Sequence, residues 1–148
     1  MMWACLAGQM RSELAFLVGS QDGQKYVQTL QEYLVPFSED LPVTWTFMQD
    51  GAPGHRSRLA KDWLYDNFVS LLDWPAYSPD LNPIENVWGI LVRRVYENQR
   101  QFDDVQSLSA GILEAWNGIK TDTLQHLTQS MRKRCVDVVV AKGKKIDY

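Results

Sequence analysis

Residues 41–88 read LPVTWTFMQDGAPGHRSRLAKDWLYDNFVSLLDWPAYSPDLNPIENVW, and their pattern decides the fold. Val43, Trp45 and Phe47 alternate with Thr44, Thr46 and Met48. That is the period of a strand, in residue types that suit a pleated, half-buried surface. The same period puts Asp50 on the Thr44/Thr46/Met48 side. Gly51-Ala52-Pro53-Gly54 then breaks the strand, and Ser57 is a candidate N-cap for a helix with Leu59, Trp63 and Leu64 inward. Val69 to Trp74 reads as another strand, stopped by Pro75. After a rigid Pro-containing loop from Ala76 to Asn82, Ile84, Val87, Trp88, Leu91, Val92 and Val95 form the apolar stripe of a helix. Strands followed by strand–helix–strand and then helices predict an α/β sheet flanked by helices.

Two acids stand out. Asp50 closes the alternating run, and Glu85 lies in the first turn of the helix that follows Asn82-Pro83, with 34 residues between them. Each has an ordinary structural explanation. Asp before Gly is common turn chemistry, and Asn82-Pro83-Ile84-Glu85 has the form of a capping box with Pro at the first helical position. Each also has a chemical one. Two carboxylates leaving rigid elements can share a divalent ion, and the positive end of a helix dipole keeps Glu85 ionised, the form a metal needs.

Working outward, Met1 to Val18 holds two short apolar runs around Gly8-Gln9-Met10-Arg11-Ser12, which predicts an antiparallel hairpin. From Gln24, Tyr26, Val27, Leu30, Leu34 and Phe37 recur at helical spacing, and Pro36 is expected to end that helix. Toward the C-terminus, Asp103 or Asp104 opens a helix with Val105, Leu108, Ile112 and Trp116 inward. A last helix runs from about Asp122 with Leu124, Leu127, Met131, Cys135 and Val138 inward and Arg132, Lys133 and Arg134 outward. The tail Lys142-Gly143-Lys144-Lys145 is basic.

At 148 residues, 45% of them apolar and six of them Trp, the chain can bury a core for one domain. The Trp residues sit at helix and strand periodicity and read as core. A formal charge of −3 is a poor footprint for a stand-alone DNA binder. Cys5 and Cys135, far apart and in apolar settings, read as reduced core residues. No apolar run approaches the length of a membrane span, and no signal peptide is visible.

MQDGAPGH (residues 48–55), followed by WPAYSPDLNPIENVWGILVRRV (residues 74–95), resembles the catalytic core of mariner-type (Tc/mariner) DDE transposases. The likeness runs from Trp3-Ala4-Cys5 to Ala141-Lys142-Gly143. It implies an RNase H-like mixed sheet flanked by helices, residues 1–148 forming a single catalytic domain that is N-terminally truncated, and an endonuclease activity that cuts and joins DNA in transposition and integration. It implies that Asp50 and Glu85 are two members of an Asp-Asp-Glu triad. That triad holds two Mg²⁺ (or Mn²⁺) ions, one activating the attacking oxygen and one stabilising the leaving oxygen. The implied partners are transposon-end and target DNA, with a possible homodimer, no membrane, and a nuclear location.

The family's first Asp lies on a strand upstream of the hairpin, between the first hairpin strand and the Thr44–Met48 strand, and this chain begins at the hairpin. The family's N-terminal helix-turn-helix domains also lie upstream. Asp22, Asp40, Asp73 and Asp80 are poor substitutes, since each falls in a loop or on the wrong strand. By itself, this stretch is therefore expected neither to cleave nor to join DNA. Arg93, Arg94, Arg132 and Lys133 are candidate phosphate contacts, although short basic clusters are also common on solvated helix faces. His55 matches the family pattern and is a candidate nucleic-acid contact. Its nitrogen ligand suits Mg²⁺ poorly. The alternative reading is a domesticated or decayed remnant that binds nucleic acid or protein without catalysis.

Overall fold

The computed structural model describes residues 1–147. Its compact units are two: Met1–Cys5 with Ser12–Tyr77, and Leu6–Arg11 with Ser78–Tyr148, of which Tyr148 lies outside the described residues.

In the first unit, β1 (Met2–Trp3) pairs antiparallel with β4 (Ala15–Phe16), Met2 opposite Phe16 and Trp3 opposite Ala15. In the second, β2 (Leu6–Ala7) pairs with β3 (Met10–Arg11). The predicted hairpin is thus present, with Gly8 at φ 58° in its turn, a conformation that favours glycine.

The helix expected from Gln24 starts one residue earlier, as α1 (Gly23–Thr29), because the Asp22 carboxylate accepts from the backbone N–H groups of Gln24 and Lys25. Pro36 does not end it. A π turn (Leu30–Leu34) intervenes, the Val35 N–H donates to the Leu30 carbonyl, and Pro36 falls in the first turn of α2 (Val35–Glu39). The missing proline N–H is tolerated there because first-turn amides have no partner within their own helix. Tyr26, Leu30 and Leu34 of this segment bury against Phe47, Ala60 and Leu64. Full burial of a side chain such as Phe47 or Leu64 stabilises by about 1.5–3 kcal/mol.

The two strands expected at Val43–Met48 and Val69–Trp74 reduce to a single parallel bridge between Phe47 and Leu71. The Phe47 N–H donates to the Ser70 carbonyl at 2.7 Å, and the Leu72 N–H donates to the Phe47 carbonyl at 2.8 Å. A strand is held by its neighbours, and among the described residues Phe47 alone is paired, while Val43 is wholly exposed. The alternation holds in part, with Phe47 buried, Trp45 half-buried and Thr46 exposed, while Met48, expected on the side of Thr46, is half-buried.

Ser57 caps α3 (Arg58–Asp66) by accepting from the Ala60 N–H at 3.1 Å. The inward face is Ala60 and Leu64, with Trp63 half-buried. Leu59, expected inward, is exposed, because Ala60 takes the close-packed position.

The second unit is helical. Asn82 caps α4 (Pro83–Val95), and Pro83, Val87, Leu91 and Val95 are buried; Val92 is exposed, at the edge of the stripe. Asp104 caps α5 (Val105–Asn117) in a reciprocal box with Ser107. Trp116 and Gly111 are its buried residues, and Val105 faces solvent in the first turn. Trp88 stacks on Trp116 at 5.6 Å between ring centroids. Of the six Trp, only Trp116 is fully buried; the others are half-buried.

The single last helix expected from Asp122 is two, α6 (Thr121–Gln129) and α7 (Met131–Val140), divided at Ser130. Their inward stripe is centred on Arg134, which is fully buried, whereas Cys135 is exposed. Both expectations are reversed for one reason. Residues 134 and 135 are both reachable from Met131 at helical spacing, and the guanidinium at 134 finds acceptors at Ser130, Asp80 and Asn86 that turn its face inward. No helix among the described residues is long and apolar enough to cross a membrane.

Candidate metal and nucleic-acid site

Asp50 leaves the Phe47 segment into the Gly-Ala-Pro-Gly turn. Its Oδ1 accepts from the Ala52 N–H at 3.0 Å, which closes the turn, and lies 2.7 Å from His55 Nδ1. Among the described residues Oδ2 has no such partner, and the carboxylate is more than half exposed. His55 is the better-buried member of the pair. Its ring lies against Tyr26 at 4.0 Å between centroids.

Tyr26 and Gln49 complete the support. The Tyr26 hydroxyl donates to Gln49 Oε1 at 2.5 Å, and Gln49 Nε2 donates to the His55 carbonyl at 3.3 Å. Tyr26 is buried, and burial, with the Asp50 carboxylate adding to it, pushes its phenol well above the ordinary range. Tyr26 therefore stays protonated and remains a donor. The Q-D-x-x-P-x-H spacing thus has a mechanical meaning: Gln49 ties the His55 backbone to the core, and His55 ties one Asp50 oxygen in place. Sequence reasoning missed Tyr26, which reads as one more core position, and gave Gln49 no task of its own.

Glu85 belongs to the second unit. It is exposed in the first turn of α4, directly before Asn86. That helix entrance is fixed from α7. Arg134 Nη1 donates to the Asp80 carbonyl at 2.8 Å, Nη2 to Asn86 Oδ1 at 2.7 Å, and Nε to Ser130 Oγ at 2.8 Å. Asp80 Oδ2 in turn accepts from the Ile146 N–H at 2.8 Å. Asp80 therefore shapes the Pro-containing loop. No spacing rule pointed to Arg134, because a lone Arg in a basic run looks like surface.

The other candidates are placed as follows. Arg93 and Arg94 lie in the last turn of α4, exposed and half-buried respectively. Arg132 and Lys133 are exposed on α7, and Lys133 Nζ pairs with Asp137 Oδ2 at 2.6 Å. His126 is on the surface of α6. Asp50 and His55 are brought together; among the described residues no group of three or more His, Cys, Asp or Glu side chains is gathered for a metal. The donor set that is present, exposed carboxylates with hard oxygens, fits Mg²⁺ or Mn²⁺ better than softer ions.

The architecture is that of the RNase H-like α/β catalytic domains. It matches the Mos1 transposase catalytic domain solved with raltegravir and Mg, with a TM-score of 0.79 at 22% identity over 91% of this chain and 70% of that one. It also matches a Mos1 mariner paired-end complex solved with Mn, with a TM-score of 0.78 at 23% identity over 91% of this chain and 40% of that one. A family model described as DDE superfamily endonuclease matches residues 2–109, and the chain belongs to that family, on its Tc/mariner branch. The transposable element Tc3 transposase of Caenorhabditis elegans is 37% identical over 152 residues, covering all of this chain and 45% of the relative. The chain thus spans less than half the length of that curated relative.

Proposed function

We propose that this chain is part of the catalytic domain of a DNA transposase that cleaves and joins DNA with divalent metal, acting on transposon-end and target DNA in the nucleus. The observation that carries this reading is the state of Asp50. One oxygen is anchored by the Ala52 N–H and by His55, and the other is open toward solvent. A carboxylate prepared in that way presents one oxygen, Oδ2, to a ligand. Glu85, on the first turn of a helix whose entrance Arg134 fixes, is the second proposed ligand.

When bound, Mg²⁺ or Mn²⁺ supplies charge neutralisation at the phosphate and lowers the pKa of an attacking hydroxyl. The chain's own residues do the rest. His55 and Gln49 keep Asp50 oriented, and basic side chains, with Arg93, Arg94, Arg132 and Lys133 as candidates, hold phosphates. His55, through its pairing with Asp50, acts as a support for the carboxylate more than as a contact to nucleic acid.

The test has two parts. Calorimetric titration with Mn²⁺ should show weak binding that Asp50→Asn removes. A nicking assay of the 148-residue chain with Mg²⁺ or Mn²⁺ should give no product, because these residues match two of the family's three acids. Metal-dependent cleavage that Asp50→Ala abolishes would overturn the second expectation. DNA binding by gel shift that is indifferent to metal and to Asp50→Asn would favour a non-catalytic binding module.

A further inference from the structure

Electrostatics divide the chain. The first unit has four Lys and Arg against nine Asp and Glu, a formal −5; the second has eleven against nine, a formal +2. Within the second unit a solvent-open cleft of about 790 Å³ lies between the end of α4 and the face of α5, lined in part by Arg93, Arg94, Arg100, Glu97 and Glu114. Arg94 Nη1 lies near the Gly118 backbone, where an added Cβ would come within 3.0 Å of it.

Arg100 is delivered to this cleft by an unusual turn. Asn98 and Gln99 both have left-handed backbones, φ 56° and 59°. Two consecutive non-glycine residues in that region are uncommon and cost stability. The turn lays Arg100 over the Phe102 ring, 5.0 Å from the centroid, and within 3.0 Å of Glu114 Oε2. Arg100 is half exposed and Glu114 is 72% exposed, so the pair is solvent-screened and readily exchanged for another anion.

We infer that this cleft is a phosphate-binding groove in which Arg94 and Arg100 grip the backbone of duplex DNA and Glu114 competes for Arg100. The inference rests on the DNA reading given under the proposed function and adds a site to it. Guanidinium groups suit the purpose, since their planar fork donates to two phosphate oxygens at once. The neighbouring Arg11 is already committed. It donates to the carbonyls of Ile119 and Asn117 at 2.6 and 2.8 Å, closing the end of α5. Burial first, and the Arg94 charge second, hold its guanidinium below the ordinary arginine range, and it still adds positive potential beside Arg94.

The experiment is fluorescence anisotropy of a labelled 20-base-pair duplex with the full 148-residue chain, across a salt series. Each phosphate contact contributes about 0.9 to the slope of log K against log salt. Arg94→Gln and Arg100→Gln should each lower the slope by about 0.9. Glu114→Gln should tighten binding about three- to tenfold, and Arg100→Gln placed on that background should cancel the gain. Arg58→Gln, which removes an equal charge from α3, should leave the slope at its original value. Slopes unchanged by the Arg94 and Arg100 substitutions, or lowered equally by Arg58→Gln, overturn the cleft and leave the DNA reading standing. Failure of the unaltered chain to bind any duplex overturns both. Calorimetric binding of inorganic pyrophosphate that Arg100→Gln removes, without duplex binding, assigns the cleft to small free phosphates and overturns the DNA assignment.

Discussion

Arg134→Met is the most informative single perturbation of the second unit. The guanidinium is fully buried and holds the loop that precedes Glu85 to α7. Methionine fills much of the same volume and removes all five N–H donors. Three acceptors lose a partner, and they are not equivalent. The Ser130 hydroxyl keeps its own donation to the Leu127 carbonyl at 2.6 Å, so its loss is small. The Asp80 carbonyl and Asn86 Oδ1 lose bonds of 2.8 and 2.7 Å. Each acceptor left unpaired costs about 1–3 kcal/mol. Against this, a buried charge no longer has to be desolvated, a gain of several kcal/mol in principle that a well-bonded guanidinium largely offsets already. The net expectation is a loss of about 3 kcal/mol. With a urea slope of about 2 kcal/mol/M the unfolding midpoint falls by about 1.5 M. Arg134→Lys should recover less than half of this, because one ammonium cannot serve acceptors in three directions. Urea unfolding by circular dichroism gives the midpoint, and hydrogen exchange at the α4 and α7 amides locates the loss. An Arg134→Met midpoint equal to or above that of the unaltered chain would refute the argument, because the buried bonds would then contribute nothing net.

Three further outcomes are expected. Burial pushes the Cys5 thiol up to about 12, whereas Cys135 is exposed; iodoacetamide at pH 8 should therefore label Cys135 alone in the folded chain and both thiols in urea, as read by mass spectrometry. Tyr26→Phe removes the donor to Gln49 Oε1 and should cost about 1–2 kcal/mol in urea unfolding, an unchanged midpoint arguing against the Tyr26–Gln49–His55 support. The Asp104 carboxyl is held below the ordinary range by the Ser107 N–H and hydroxyl. Its contribution to α5 is present above the unfolded pKa and is lost as pH falls through the lower folded one. Acid titration of helicity should thus show a step at low pH that Asp104→Asn flattens; identical titrations for the two proteins would count against it.

What could be read from the sequence was local. Ser57 and Asn82 were legible as helix caps, and Asp104 as one of two candidates with Asp103, because a cap needs only its own side chain and an amide two or three residues on. The motifs around Asp50 and Glu85 were legible for the same reason, since an Asp before a Gly-containing turn and an acid in a first helical turn are short-range arrangements. The hairpin between Met2 and Phe16 followed from its two apolar runs and the Gly8 turn.

Tertiary structure alone decided everything that needed a partner distant in the chain. Val43–Met48 has the alternation of a strand, yet a strand exists only where another backbone pairs with it, and Phe47 alone found one, at Ser70–Leu72. Pro36 looked like a stop, yet packing of Leu30 and Leu34 against Phe47 and Leu64 carried the helix through it by a π turn. Arg134 looked like surface and became the best-buried charge, because the acceptors that stabilise it lie at Asp80 and Asn86, about fifty residues earlier. Composition and periodicity report the transfer preference of a side chain one residue at a time. Which acceptors a buried group meets is set by the path of the whole chain.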